Sequence, residues 1–503
     1  MMNRISAVEL TLPNQHAIPV KVFANADVKV EKAAVDELSG LLELQETVER
    51  IAAVEPDFFD CTNPGIVEIA VTPDFHKGAG IPIGTVLKTR GFMTPQAIGR
   101  DVNCGMRLML TDWTVDEVRA NLPALEQRIR HVFFEGAREI PLHPLQKQAL
   151  LREGLPGLVE TSGMLGEQGI WKHFRKEEQW KALDQVSENG QMFANGISEG
   201  LSNYTAHTDP RYDAQIGSIG GGNHFVEVQE VKSILDSTTA YQWGLKPGAV
   251  VVMIHTGSVS IGYPASGYAE MLLREIYPKT LSLPKNGILP LPTSEKYRPA
   301  FEAVQMALAN AANFAYANRL FLSMMLRRVL EEALGDREFK LLWDSGHNLV
   351  WNAGNDEFLH RKGATPARGM EAMAGTPFAY TGEPVLIPGS MGASSFILRG
   401  NGAAGSMQSA SHGAGRAMSR GQAMKATELE FQRFMEHFKI ITPIDPKSPQ
   451  MRGRQDIRQK WEEHLKQEAP WAFKEIAPVI DTQTEAGLVG AVAELTPIFT
   501  IKG

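Results

Sequence analysis

Asp101-Val102-Asn103-Cys104 sets a carboxylate and a thiol three positions apart, close enough for one turn to aim both at a metal ion. A cysteine in such a fragment is equally at home as a small buried hydrophobe. Three histidines, His224, His255 and His347, each stand beside glycine or small residues at the apparent ends of strands. Singly, each reads as a satisfied core or surface histidine. Jointly, an aspartate, a cysteine and three histidines can hold two ions if the thiolate bridges them. The set mixes hard carboxylate, borderline imidazole and soft thiolate, so the Irving–Williams order alone favours zinc over manganese, and the ligands do not name the physiological metal.

Three further segments suit anions. Gly217-Ser218-Ile219-Gly220-Gly221-Gly222-Asn223-His224 resembles a phosphate-cradling loop, since close glycines let backbone N–H groups approach an anion. It lacks the terminal Lys-Ser/Thr of a Walker A motif, and glycine-rich turns without ligands are common. His360-Arg361-Lys362-Gly363-Ala364-Thr365 and Ser409-Ala410-Ser411-His412-Gly413-Ala414-Gly415-Arg416 each join a histidine and basic residues to small ones that permit close approach. An exposed basic turn is the alternative for each.

Short apolar runs must position these groups. Ile66 to Val71 leads into Pro73-Asp74-Phe75-His76, Ala249 to Ile254 into His255-Thr256-Gly257-Ser258, and Phe339 to Trp343 into Asp344-Ser345-Gly346-His347. Such runs predict buried strands whose ends present side chains from distant segments to one site. A helix is expected from about Ala300 to Leu334, with Phe301, Val304, Leu308, Phe314, Leu320, Met324 and Leu330 on an apolar face interrupted by polar positions, and Pro299 in its first turn. Pro278 to Pro299 and Pro443 to Gln459 read as inserted loops, and Leu495 to Gly503 as a short terminal strand.

The bulk properties narrow the class. With no solenoid repeat or low-complexity tract, the 503 residues read as one elaborate catalytic domain spanning 1–503 with those two insertions. Apolar residues at 43% and charged residues at 21% are ordinary for a globular protein, and no apolar stretch approaches the roughly 20 residues that cross a bilayer. The N-terminus lacks the apolar run of a secretory signal, and two cysteines, Cys61 and Cys104, argue against a disulfide framework; a reducing cytoplasm is expected. A net charge of -8, taken alone, argues against a protein coated by nucleic acid but does not exclude a pocket that grips one or two phosphates.

In their order along the chain, the segments resemble the RtcB family of manganese- and GTP-dependent RNA ligases. The resemblance rests on Asp74-Phe75-His76-Lys77-Gly78, Asp101 to Gly105, Gly222-Asn223-His224-Phe225-Val226-Glu227, His255-Thr256-Gly257-Ser258, Ser345-Gly346-His347-Asn348, His360 to Thr365, Ile387-Pro388-Gly389-Ser390-Met391-Gly392, Ser411 to Arg416 and the final Lys502-Gly503. It covers about residue 66 to the end. It implies an α/β (α+β) fold with mixed β-sheets around a deep central metal and nucleotide site. It further implies that Asp101, Cys104, His224, His255 and His347 hold two Mn²⁺ ions with Cys104 between them, and that His412 is the nucleophile. Asp74 matches an acidic residue near the reacting 5′ end. Asn223, Glu227, His347, Asn348, Ser395 and Lys502 would contact the guanine nucleotide, along with Pro388, Gly389, Ser390 and Met391 and the segment His412, Gly413, Ala414, Gly415 and Arg416. Lys362, Arg416 and Arg420 would bind RNA phosphate.

The implied chemistry joins an RNA 3′-phosphate or 2′,3′-cyclic phosphate end to a 5′-hydroxyl in RNA repair or tRNA splicing, with GTP and two Mn²⁺ as cofactors and room for an accessory activator. His412 attacks the α-phosphorus of GTP, GMP passes to the RNA 3′-phosphate, and the 5′-hydroxyl displaces it. The sequence departs from the family at His255 to Ser260, where the usual His-Ser-Gly-Ser-Arg-Gly has Val259 in place of arginine, and at Ser411, where a cysteine is usual. Loss of that cation should alter RNA phosphate binding rather than abolish the chemistry. A metal-dependent phosphodiesterase or phosphatase acting on RNA ends, or a non-catalytic RNA-end-binding protein, are the rival readings.

Overall fold

The computed structural model describes residues 2–451 and 453–503. Its larger sheet is built around Ala249–Thr256, a strand buried from Val250 onward, as the uninterrupted run Val250-Val251-Val252-Met253-Ile254 requires when both faces are covered. Across this sheet the order is Phe339–Gly346, Gly105–Thr114, Ala249–Thr256, Phe225–Ile234, Val489–Ile501, Ser395–Gly400 and Pro384–Ile387. Neighbours along this path are antiparallel, and Lys439–Ile441 adds a parallel partner to Val489–Ile501. The second sheet runs Asn3–Arg4, Glu9–Thr11, Val20–Phe23, Gly65–His76, Ile83–Arg90, Glu357–Lys362, Asn348–Gly354, with one parallel pairing, Val20–Phe23 beside Gly65–His76. Both sheets are therefore mixed, within an α/β architecture.

Between the sheets, Ala364–Pro366 pairs with Ser409–Ser411, and this small ribbon delivers His412. The helix Arg298–Leu334 lies against Ala249–Thr256 and Gly105–Thr114, with Pro299 in its first turn, where its missing N–H has no partner to lose. Its polar positions differ from the expected interruption of an apolar face. Asn310, Asn313, Asn318 and Arg319 are buried, because each hydrogen-bonds the backbone of another segment, and the helix is enclosed on nearly every side from Ala307 to Arg327. No helix among the described residues is long and apolar enough to cross a membrane.

The strands run further than their apolar cores predict. Gly65–His76 continues through Thr72, Asp74 and His76, where the Thr72 hydroxyl, the Asp74 carboxylate and the His76 Nδ1 are bonded internally. The terminal strand starts at Val489, not Leu495. The first expected insertion is packed rather than free: Ile288, Leu289 and Leu291 are buried, Leu291–Pro292 pairs with Phe92–Met93, and the helix already begins at Arg298. The second ends at Arg454, because Gln455–Lys466 is helical and buries Trp461 and Leu465 at i, i+4 spacing.

Candidate active site and metal centre

Four adjacent antiparallel strands bring their ends to one edge of the larger sheet. Gly346 and Thr256 both pair with Gly105, and His255 pairs with Phe225. His347 follows the end of one strand, Cys104 precedes the start of the next, His255 is penultimate in the third, and His224 precedes the fourth. Residues hundreds apart in sequence thus lie one strand spacing apart. Cys104 Sγ is 3.3 Å from Nε2 of His224 and 3.3 Å from Nε2 of His255, whose Nε2 is 3.4 Å from that of His347. Asp101 Oδ2 stands 2.8 Å from His224 Nε2. Asp101, Cys104 and His224 form one triad and Cys104, His255 and His347 a second, each with its ligand atoms within 4.8 Å of one another.

Local backbone fixes this cluster. Asn103 adopts φ +54, a left-handed conformation that asparagine tolerates, so that the chain can turn Cys104 back toward Asp101, whose carbonyl accepts the Cys104 N–H at 3.1 Å. A side chain at Gly257 would meet Asp101 Oδ1 at 2.5 Å and Cys104 Cα at 2.7 Å. Beneath the turn, buried Arg319 donates to the carbonyls of Asn103 (2.7 Å) and Thr256 (3.0 Å) and to Asp344 Oδ1 (2.8 Å), while Arg107 holds the other oxygen of Asp344 at 3.0 Å. This guanidinium ties two ligand-bearing segments together.

The donor chemistry fits a cation. His224 Nδ1 and His255 Nδ1 each lie 3.1 Å from a backbone carbonyl, of Ile219 and Asn223, which keeps the proton there and leaves the Nε2 lone pairs facing the cluster. Burial pushes the His255 and His347 imidazoles well below their ordinary range, so both are neutral. Burial, then the Asp101 carboxylate, push the Cys104 thiol up. Its conversion to the ligating thiolate therefore calls for a bound positive ion.

His412 sits beside this cluster, its ring 4.8 Å from that of His347. Asp74 Oδ2 lies 2.6 Å from His412 Nδ1 and also accepts the His412 backbone N–H at 3.2 Å, while Thr72 Oγ1 donates to Asp74 Oδ1 at 2.6 Å. Burial opposes ionisation of Asp74, yet the neighbouring His412 holds its carboxyl below the usual range. The close approach requires glycine at 415, where a Cβ would strike the Asp74 carbonyl at 2.1 Å.

His412 opens on a cavity of about 140 Å³. Asn223, Pro388, Gly389, Ser390, Met391, Gly413, Ala414, Gly415, Arg416, Arg420 and Lys502 also line it. A larger groove of about 860 Å³ lies on the Asp101 and His224 side, bounded by Gly220 to Asn223, Val259, Ser260 and Tyr263. The two share Asn223, Arg420 and Glu468. Val259 faces the groove, whose Lys and Arg lining among the described residues consists of Arg420.

Other expected site residues lie behind the cavity wall. Glu227 and Ser395 are buried and joined through Gln229 Nε2, at 2.6 and 2.9 Å, and Ser395 Oγ accepts the Gly389 N–H at 3.1 Å, beneath the Pro388–Met391 rim. Burial raises Glu227 to about 7 and lowers Lys502, whose Nζ donates to the Gly222 carbonyl, to about 8. Asn348 bonds Gly363 N–H at 2.7 Å and the Asp101 carbonyl at 3.2 Å. Lys362 turns to the Ile81 carbonyl at 2.8 Å and lines neither cavity.

Sequence reasoning missed Glu468, which is buried and bridges Arg416 (3.1 Å) and Arg420 (3.2 Å), and it missed Arg319. A lone glutamate at a helix end offers no signal. An arginine at a core phase of an apolar helix does.

A family model described as "tRNA-splicing ligase RtcB" matches residues 61–503. The "tRNA-splicing ligase RtcB" of Thermococcus kodakarensis is 30% identical over 100% of this chain and 99% of its own length. That of Pyrobaculum aerophilum is 31% identical over 88% of this chain and 89% of its own, and the "RNA-splicing ligase RtcB" of Mycobacterium tuberculosis 32% over 88% and 98%. Since the matched span takes in the cluster, His412 and Lys502 alike, the chain belongs to the RtcB family.

Proposed function

We propose that this protein is a GTP- and Mn²⁺-dependent RNA ligase that joins RNA 3′-phosphate or 2′,3′-cyclic phosphate ends to 5′-hydroxyl ends through a His412–GMP intermediate. The observation that carries this reading is the placement of His412 in a cavity beside a five-donor cluster, with its Nδ1 fixed by Asp74 and its Nε2 left to act. Family membership supports RNA as the substrate, since the relatives are named as RNA- and tRNA-splicing ligases.

The Nε2 lone pair attacks the α-phosphorus of GTP and pyrophosphate leaves. The proton stays on Nδ1, where the Asp74 carboxylate offsets the charge of the phosphorylated imidazole. An oxygen of the RNA 3′-phosphate then attacks the same phosphorus, and His412 departs as neutral imidazole. The 5′-hydroxyl finally attacks the activated RNA phosphorus and releases GMP. Arg416 and Arg420, both paired with Glu468, offset phosphoryl charge once Glu468 shares them with the ligand. Glu227, Ser395 and Lys502 serve the guanine nucleotide, with Asn223, Asn348, Pro388 to Met391 and Gly413 to Gly415 forming its wall, and Lys362 is assigned to RNA phosphate. Asp101, Cys104 and His224 would hold one Mn²⁺ and Cys104, His255 and His347 the other. When bound, these ions supply Lewis acidity to phosphoryl oxygens. A reducing cytoplasm suits a mechanism that needs a free Cys104 thiol.

Incubation with Mn²⁺ and GTP labelled at the α-phosphate should leave acid-labile, base-stable label on the wild type and none on His412→Ala. Absence of label on folded, metal-loaded wild type would sink the reading and favour metal-dependent phosphoester hydrolysis or RNA-end binding.

A further inference from the structure

The three steps just described differ in one respect. In the first two, the attacking atoms are an imidazole nitrogen and a phosphate oxygen, which carry no proton. In the sealing step the nucleophile is a hydroxyl, and its proton must go to an acceptor inside the site.

His76 is suited to take it. Thr72, Asp74 and His76 lie at the end of Gly65–His76, where its pairing with Ile83–Arg90 is irregular, and they are linked through Asp74, which Thr72 contacts and which contacts His412. His76 Nδ1 lies 2.7 Å from the Asp74 carbonyl oxygen. A carbonyl only accepts, so Nδ1 carries the proton and Nε2 is left as a lone pair. His76 lines the same 140 Å³ cavity as His412, and Nε2 is the polar atom it has to offer there. Of the other imidazoles, His255 lines this cavity too, but its Nδ1 is engaged by the Asn223 carbonyl and its Nε2 faces Cys104.

We propose that His76 is the general base of the sealing step, a catalytic residue for the 5′-hydroxyl end; this rests on the ligase reading above. As the bond between the 5′ oxygen and the 3′-phosphate phosphorus forms, the hydroxyl proton passes to His76 Nε2. The bond from that phosphorus to the bridging oxygen breaks, and GMP leaves with the electron pair. The proton then passes from His76 to solvent. Burial holds the imidazole near 4, so it is neutral and ready to accept at physiological pH. The charged and titratable groups around it are Asp74 and His412 on the facing segments, Lys474, whose Nζ donates to the Phe75 carbonyl, and Arg416 across the cavity. A bound phosphate would raise its affinity for the proton toward the useful range.

The test uses RNA already carrying a 3′-guanosine diphosphate linkage, which bypasses labelling of His412, in single-turnover sealing with Mn²⁺. His76→Asn keeps a donor for the Asp74 carbonyl but has no base. It should seal about 10²- to 10⁴-fold more slowly than wild type, the range for loss of a general base, and lose much less in His412 labelling. In His76→Ala, added imidazole should recover part of the sealing rate. Sealing of activated RNA by His76→Asn at the wild-type rate overturns the proposal. So does an equal loss in labelling and sealing without imidazole rescue, which would mark His76 as a support for Asp74 only. Wild type that neither takes label nor seals condemns the ligase reading itself, a result distinct from failure of His76 alone.

Discussion

Asp74 is the residue that orients His412, the proposed nucleophile. Its carboxylate is fully buried and reaches both the Nδ1 and the backbone N–H of His412, so it selects the tautomer and fixes the ring. An asparagine there can present an amide N–H to Nδ1, which moves the ring proton to Nε2 and removes the attacking lone pair. Asp74→Asn should therefore lower the initial rate of His412 labelling on the order of 10²- to 10⁴-fold with the fold retained, a magnitude comparable to tautomer loss in a serine-protease triad. Labelling at the wild-type rate would refute the orienting role. The segment Asp74 to Gly78 was visible in the sequence as a motif, but its partner was not. Asp74 and His412 are 338 positions apart, and only the pairing of Ala364–Pro366 with Ser409–Ser411 beside the strand end brings them into contact.

At the scale of elements, the sequence revealed strand cores better than strand lengths. Val250 to Ile254 announces itself by continuous apolar character, whereas Thr72, Asp74 and His76 look like the end of a strand until their internal bonds are seen. The donors of the cluster were legible because each lies within two residues of a glycine. Their convergence follows from strand order, which no local pattern encodes. The long helix shows the same limit, since its asparagines read as polar interruptions of an apolar face but act as clamps. Asn318 accepts the Ser218 N–H at 2.9 Å and donates to the Ser218 carbonyl at 2.9 Å and the Gly257 carbonyl at 3.1 Å, so it ties the glycine-rich loop to the turn beside Asp101. Asn310 instead clamps Leu151, Gly196 and Ser198, away from the cluster. Both Asn318→Ala and Asn310→Ala should lose about 1–3 kcal/mol in denaturant unfolding, the cost of orphaned buried polar groups. Mn²⁺ titration should separate them, with affinity falling in Asn318→Ala and holding in Asn310→Ala. Equal affinities in the two variants would mean that the helix supports the fold but not the cluster.

The whole molecule carries 58 acidic against 50 basic residues, and of the cations proposed to bind nucleotide or RNA phosphate Arg416, Arg420 and Lys502 line the smaller cavity and Arg420 the groove as well. Arg416 and Arg420 converge on Glu468, Lys502 is engaged by the Gly222 carbonyl, and Lys362 points to Ile81. A protein with a basic face would release many counterions on binding RNA, and its affinity would collapse with salt. Under the proposed function, two or three cations would contact the strand, and the acidic surface would repel the remainder. With a slope of about -0.7 per neutralised phosphate for single strands, log affinity against log salt should fall with a slope of roughly -1.4 to -2. Fluorescence titration of a short single-stranded RNA with a 3′-phosphate, from low to moderate salt, measures this directly. Arg420→Gln should make the slope shallower by about 0.7 without changing its linearity. A slope near -5 would instead require a basic track outside the two cavities, and RNA binding would then have to be assigned to a different face.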